Sequence, residues 1–120
     1  HEPQSIAANL ARAGWLMNNN QDELAATHYD YVLEQQPNNI AALNNLAWLL
    51  REDNTERALE LARRASEQAP QNSAVLDTYG WVLHLSGNHQ QAITTLEKAL
   101  ALAPGNEDIT SHLETARKAL

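Results

Sequence analysis

Histidines and acidic residues are the side chains that most often carry out chemistry, and this chain holds 5 His and 15 Asp and Glu. His84 and His89 stand five residues apart across a turn-forming segment, which is a poor spacing for two ligands of one metal ion. The acidic pairs that start at Asp22 and Glu107 fall in the first turns of predicted helices, where they complement the helix dipole. We therefore predict no metal site and regard paired-carboxylate catalysis as a distant alternative.

Enzyme motifs are missing from the sequence as well. It contains no glycine-rich phosphate loop and no Gly-x-Ser-x-Gly. The absence of cysteine excludes disulfides, thiolate metal sites and cysteine nucleophiles. We predict that the chain is not an enzyme and uses no cofactor.

The charge balance is acidic, with 8 Lys and Arg and a net charge of -7. Such a surface repels phosphate backbones, so we predict no nucleic-acid partner. The excess charge indicates either a solvated surface that keeps the protein soluble or a preference for a basic partner. No apolar stretch is long enough to cross a bilayer, so the sequence predicts no transmembrane segment.

The tryptophans are the remaining candidates for function. Trp15, Trp48 and Trp81 are equally spaced along the chain. A large amphipathic ring offers contact area and an N–H donor, which are the features of interface hot spots. The same ring could instead fill the joint between neighbouring helices, and both interpretations stay open here. Either way, a regular spacing requires structural elements that repeat with the same period.

Prolines and helix-capping residues show that period. The middle interval between the four prolines equals that between the tryptophans, and the two outer intervals are one residue longer. A proline stops a preceding helix, and a Ser or Asn side chain accepts from the free N–H groups of a following first turn. Such a residue stands two positions after each proline: Ser5, Asn39, Asn72 and Asn106.

Each period is also broken internally by turn-forming residues, at 18–20, 53–55 and 86–88. Between the breaks, apolar residues recur at helical spacing, as from Leu43 to Leu50. The pattern predicts seven helices, over 6–18, 21–35, 40–52, 55–68, 73–85, 89–102 and 107–119.

Small residues recur where two paired helices should touch. A larger side chain there would overpack the contact at a cost of roughly 1–3 kcal/mol. The sequence predicts these positions to be Gly14, Ala47 and Gly80 in the first helices, and Ala25, Ala58 and Ala92 in the second. On the last helix, the apolar face is predicted to consist of Ile109, Leu113, Ala116 and Leu120.

The segment from Leu76 to Pro104, LDTYGWVLHLSGNHQQAITTLEKALALAP, resembles the tetratricopeptide (TPR) pattern, and Leu43 to Pro70 matches with one residue fewer in the turn. The first repeat departs most, because Trp15 stands ten residues after its cap. The other two tryptophans stand nine after theirs, and one residue is about 100° of helix rotation. The resemblance implies an all-α, right-handed superhelical solenoid of antiparallel helix pairs. Its predicted units are a tail of a preceding repeat (1–5), three TPR units (6–39, 40–72 and 73–106) and a capping helix (107–120).

In TPR proteins the first helices line a concave groove that receives a peptide or helix of a partner. The resemblance therefore implies a non-catalytic protein–protein interaction scaffold. The implied groove positions are Asn44, Trp48, Arg51, Glu52, Asp77, Trp81 and His84, with Leu10, Gly14, Trp15 and Asn18 in the first repeat and Ser111 and Thr115 on the last helix.

One TPR subclass binds the C-terminal carboxylate of a peptide with Lys, Asn and Arg on the first helices. Asn45 matches one of these residues, but Asn44, Asp77 and Thr78 stand where Lys or Arg is needed. The carboxylate clamp is therefore predicted to be absent or very incomplete. Arg51 is interpreted as a surface or inter-repeat ion-pair residue.

Two other functions stay open. The chain could be a structural spacer or self-association segment of a larger TPR protein, which would allow a homo-oligomer; its start at His1 favours a processed chain or a segment cut from a longer protein. The segment NNLAWLL, followed later by VLDTYGWVL, is similar to the sequences of bacterial TPR lipoproteins linked to protein-sorting and exopolysaccharide systems. That similarity implies a bacterial extracytoplasmic location, periplasmic or lipid-anchored, and a glycan-binding module as the second alternative.

Overall fold

A computed structural model describes residues 5–120, which form seven helices and contain no strand. Consecutive helices pack against each other in an elongated array of 52 × 26 × 23 Å, an all-α helical-repeat solenoid. The predicted helices are confirmed, and three ends differ by one or two residues. The helices are α1 (Ile6–Asn18), α2 (Asp22–Gln35), α3 (Ile40–Leu50), α4 (Thr55–Gln68), α5 (Ser73–Leu85), α6 (His89–Leu102) and α7 (Glu107–Lys118).

The predicted caps begin α1, α3, α5 and α7. In each, the side-chain oxygen accepts a hydrogen bond from the backbone N–H three residues later, which satisfies one of the free donors of the first turn. These four cap predictions are confirmed. The donor–acceptor distances are 2.9 Å at Ser5, 3.0 Å at Asn39, 3.1 Å at Asn72 and 3.0 Å at Asn106.

The close contacts between paired helices are built on small residues, as predicted for Ala47 and Gly80. Ala25, Ala58 and Ala92 of the second helices are likewise fully buried. A Cβ added to Gly80 would lie 2.6 Å from Cγ of Leu96 on α6, so only glycine fits there.

The prediction for Gly14 is wrong, because a Cβ added there would meet nothing within 4 Å. Ala13, which is fully buried, takes the contact position instead. The interval from Ser5 to Asn39 is one residue longer than that from Asn39 to Asn72. Counting back from Ala47 by the tryptophan interval therefore gives Gly14 and misses the equivalent position, Ala13, by one residue.

The last helix covers the end of the array. Leu113 and Ala116 are buried in a cluster with Leu83 of α5 and Leu96 of α6. Ile109 is buried as well, so three of the four predicted apolar-face residues are confirmed. The prediction for Leu120 is wrong, because this residue lies beyond the end of α7 and is 71% exposed.

Residues 1–4 of the predicted tail, including Pro3, lie outside the described residues, whereas Ser5 caps α1. From residue 5 onwards, no helix has the length and apolar character needed to cross a membrane.

Candidate binding groove

One continuous row of aromatic and basic side chains crosses the groove. Its members come from α3, α5 and α7 and from the residue that ends α3. The guanidinium carbon of Arg51 lies 4.0 Å from the ring centroid of Trp48. The ring of His112 on α7 lies between the two tryptophans, with its centroid 6.0 Å from that of Trp48 and 4.5 Å from that of Trp81. The ring of His84 follows, 4.9 Å from that of Trp81. We call these five side chains the aromatic row.

His112 is the member of the row that the sequence analysis missed. Its Nδ1 lies 2.8 Å from Oδ1 of Asp77, and both side chains are largely buried. A carboxylate only accepts hydrogen bonds, so His112 carries a proton on Nδ1 and donates it to Asp77. One signal was available in the sequence. His112 stands six residues after its cap, as do Asn45 and Thr78, two of the positions that were compared with the carboxylate clamp.

Trp48 and Trp81 are each half-buried, so both predicted groove tryptophans keep part of the ring at the surface. Arg51 lies over the ring of Trp48, and His112 stacks on Trp81 at an interplanar angle of 27°. The packing interpretation therefore accounts for part of each ring. A role of the exposed remainder in binding stays a prediction.

Trp15 differs from the other two tryptophans. It is 55% exposed, and Arg12 of the same helix lies over its ring at 5.2 Å. Gly14, nine residues after Ser5, occupies the position that corresponds to the tryptophans of the next two repeats. The first repeat therefore has no ring at the position that forms the row.

The structure gives Arg51 a different role from the predicted ion pair. Besides lying over the Trp48 ring, its guanidinium donates a hydrogen bond of 2.7 Å to the carbonyl oxygen of that residue. Arg51 thus holds the end of α3 and covers one tryptophan. Among the other predicted groove positions, Leu10 and Gly14 are half-buried, and Glu52, Asn18, Ser111 and Thr115 are exposed.

The turn at Gly87, whose φ is 94°, brings His84 and His89 together. Their Nδ1 atoms lie 3.0 Å apart, so one ring donates a hydrogen bond to the other. Burial lowers the pKa of His84 below its ordinary value of 6.5, and the nearby rings of His89 and His112 lower it further. The described residues contain no group of three or more side chains suited to holding a metal ion.

A cavity of about 440 Å³ opens beside the row, between α3, α5 and α7. It has two carboxylates and no lysine or arginine in its lining. Oδ1 of Asn44 is buried without a hydrogen-bond partner among the described residues, whereas the neighbouring Asn45 donates to the hydroxyl of Tyr29 at 3.0 Å. The lining residues used below are Asn44, Trp48, Asp77, Asp108, Ile109 and His112.

Comparisons with known proteins agree with the helical-repeat fold. Two family models described as tetratricopeptide repeat match the sequence, over residues 54–104 and 28–60. No curated protein sequence gives a significant match. The similarity to bacterial TPR lipoproteins has no support in these matches and stays a prediction.

Solved structures resemble the chain over nearly its whole length. A mutant O-GlcNAc transferase of Thermobaculum terrenum superposes with a TM-score of 0.88 and 31% identity over 92% of this chain, which spans only 22% of the transferase chain. The first TPR of Spaghetti (RPAP3), bound to the HSP90 peptide SRMEEVD, superposes with a TM-score of 0.87 and 17% identity, over 98% of this chain and 94% of its own. The Sgt2 TPR domain from Aspergillus fumigatus superposes with a TM-score of 0.85 and 21% identity, over 98% of this chain and 83% of its own. At these identities, the last two show the fold alone.

Proposed function

Because the chain belongs to the tetratricopeptide repeat family, we propose that it is a non-catalytic scaffold that binds a peptide or helix of a partner protein. The binding site is the groove formed by α3, α5 and α7. The observation that carries the proposal is the aromatic row, which joins three helices into one half-buried surface beside a cavity. An aromatic centre with a polar rim is the usual composition of a binding patch.

Proteins of the same fold support a peptide as the ligand. The first TPR of Spaghetti (RPAP3) is bound to an HSP90 peptide, and the second TPR domain of human RPAP3 is in complex with an HSP70 peptide. The elongated array presents its first helices side by side, so an extended segment can contact several repeats at once.

The two alternatives make different demands on the row. A glycan site needs a free tryptophan face for sugar stacking, but Arg51 lies over Trp48 and His112 stacks on Trp81. A spacer or self-association segment needs no groove ligand at all. The bacterial extracytoplasmic location, periplasmic or lipid-anchored, rests on the sequence similarity alone and stays a prediction.

The test is a selection from a phage library of random linear dodecapeptides on the immobilised protein. Synthetic versions of enriched peptides are then titrated while tryptophan fluorescence and peptide anisotropy are recorded. We expect enriched peptides to lose about 2 kcal/mol or more of binding free energy on Trp81→Ala or Trp48→Ala, the size of a hot-spot effect.

Trp15→Ala is the matched control, because it removes an exposed tryptophan outside the row. Equal losses in all three variants would contradict binding in the groove. No enriched peptide, together with concentration-dependent association in sedimentation experiments, would favour the spacer. Quenching by oligosaccharides and not by peptides would favour the glycan site.

A further inference from the structure

The cavity beside the aromatic row is rich in acceptors and negative charge. The carboxylate of Asp77 accepts one hydrogen bond, from His112, and has capacity for more. Asp108 is exposed in the first turn of α7 and also lines the cavity. With no lysine or arginine in the lining, neither carboxylate has a permanent cation beside it there.

Asn44 adds a neutral acceptor at the same place. Its Oδ1 is buried and has no hydrogen-bond partner among the described residues. A buried polar atom without a partner costs roughly 1–3 kcal/mol, so such atoms are rare in folded proteins. Asn44 lines the cavity, so its amide is a further polar group next to an entering ligand.

The walls suit a side chain that is apolar along its length and cationic at its tip. Trp48 and Ile109 supply apolar surface, while the carboxylates and the Asn44 amide supply acceptors. Long basic side chains have this division, because their methylene stems pack on apolar surface and their heads need polar partners. Arg51, which lies outside the cavity lining, shows that a guanidinium packs on the ring of Trp48.

We infer that the cavity between α3, α5 and α7 receives a lysine or arginine side chain of the partner, so that the groove selects basic peptides. This inference rests on the proposed function. Charge complementarity supports it beyond the cavity, since the whole chain carries a net charge of -7. It also separates this groove from that of the Spaghetti TPR, whose bound peptide SRMEEVD contains three acidic residues and one arginine.

The test uses the peptides enriched in the phage selection. In each peptide, lysine is replaced by norleucine and arginine by citrulline, which removes the charge and keeps the carbon stem of the side chain. We expect one basic position whose replacement weakens binding to the wild type about tenfold or more, as for other charges in a closely packed interface. The acidic peptide SRMEEVD serves as a probe that should not bind.

Protein variants locate the contact. Asp108→Asn and Asp77→Asn should each weaken binding of the basic peptide about three- to tenfold, and Asp108→Asn should weaken binding of its neutral version less. Asp53→Asn is the matched control, since it removes the same charge from an exposed turn outside the cavity. Far-UV circular dichroism verifies that Asp77→Asn, which loses its bond to His112, is still folded.

The outcomes separate the inference from the proposed function. Enriched peptides that bind the groove with no need for a basic residue would overturn the inference and leave the scaffold proposal intact. Equal effects of Asp53→Asn and Asp108→Asn would overturn it too, as would tight binding of SRMEEVD that persists when its arginine is replaced by citrulline. A selection that enriches nothing would overturn both.

Discussion

The imidazole of His112 stacks on the indole of Trp81, with ring centroids 4.5 Å apart. The two residues come from different structural units, the capping helix and the third repeat. The same imidazole donates to Asp77, so α7 is attached to α5 by a stack and a hydrogen bond at once. The capping helix therefore completes the groove as well as covering the end of the core.

Replacing His112 by Ala should remove both contacts. Net contributions of such a hydrogen bond and aromatic stack together give an expected loss of about 1–3 kcal/mol in the free energy of unfolding. Urea unfolding followed by far-UV circular dichroism measures it. Ser111→Ala, at an exposed neighbouring position, is the control and should change stability little. A His112→Ala protein as stable as the wild type would show that these two contacts do not stabilise the fold.

Deleting residues 107–120 should have a larger effect. The deletion uncovers buried side chains such as Leu83 and Leu96, because α7 supplies Leu113 and Ala116 to the same cluster. Helical repeats cover each other's apolar faces, so the shortened chain should melt at a lower temperature or associate. Thermal unfolding and light scattering test this, and a monomer of unchanged melting temperature would refute the capping role.

Glycine-to-alanine replacements in α1 and α5 should change the free energy of unfolding in opposite directions. Gly80→Ala places a Cβ 2.6 Å from Cγ of Leu96, a fully buried side chain that would have to shift. Overpacking of roughly 1–3 kcal/mol should outweigh the gain of about 1 kcal/mol in helix propensity.

Gly14→Ala meets no neighbour and should stabilise the protein by about 0.5–1 kcal/mol. Denaturant unfolding of the two variants measures both effects. A destabilised Gly14→Ala protein would restore the small-residue contact that the sequence predicts at Gly14.

The His84 pair should make stability depend on pH. The pKa of His84 in the folded chain lies below its ordinary value of 6.5, because burial and the rings of His89 and His112 disfavour its charged form. As the pH falls below that value, the unfolded chain binds a proton first, so stability is greatest above it and decreases toward the folded-state pKa.

His84→Gln should reduce this acid-side loss. Unfolding of both proteins at about pH 7.5 and about pH 5.5 gives the comparison, since other titrating groups are common to both. A stability difference between wild type and variant that is the same at both pH values would contradict the expected sign.

The helices, their caps and their period were readable in the sequence, because these features depend on residues close together in the chain. The Asn72 side chain caps α5 through the N–H of Val75, three residues away. Buried small residues repeat for the same local reason, although counting with a fixed period put the first-repeat contact at Gly14 instead of Ala13. Asp77 was also predicted as a groove position, through the resemblance to TPR repeats, and it lies in the cavity lining.

The aromatic row and the cavity could be seen only in the tertiary structure. His112 meets Asp77 across 35 residues of chain, and the same imidazole stacks on the ring of Trp81. Such contacts depend on how far each helix pair is rotated and shifted against the next, and no local pattern of residue types contains that rotation. The sequence alone therefore determined which helices form and which of their faces are apolar, whereas the stacking of the repeats decided which groove side chains meet.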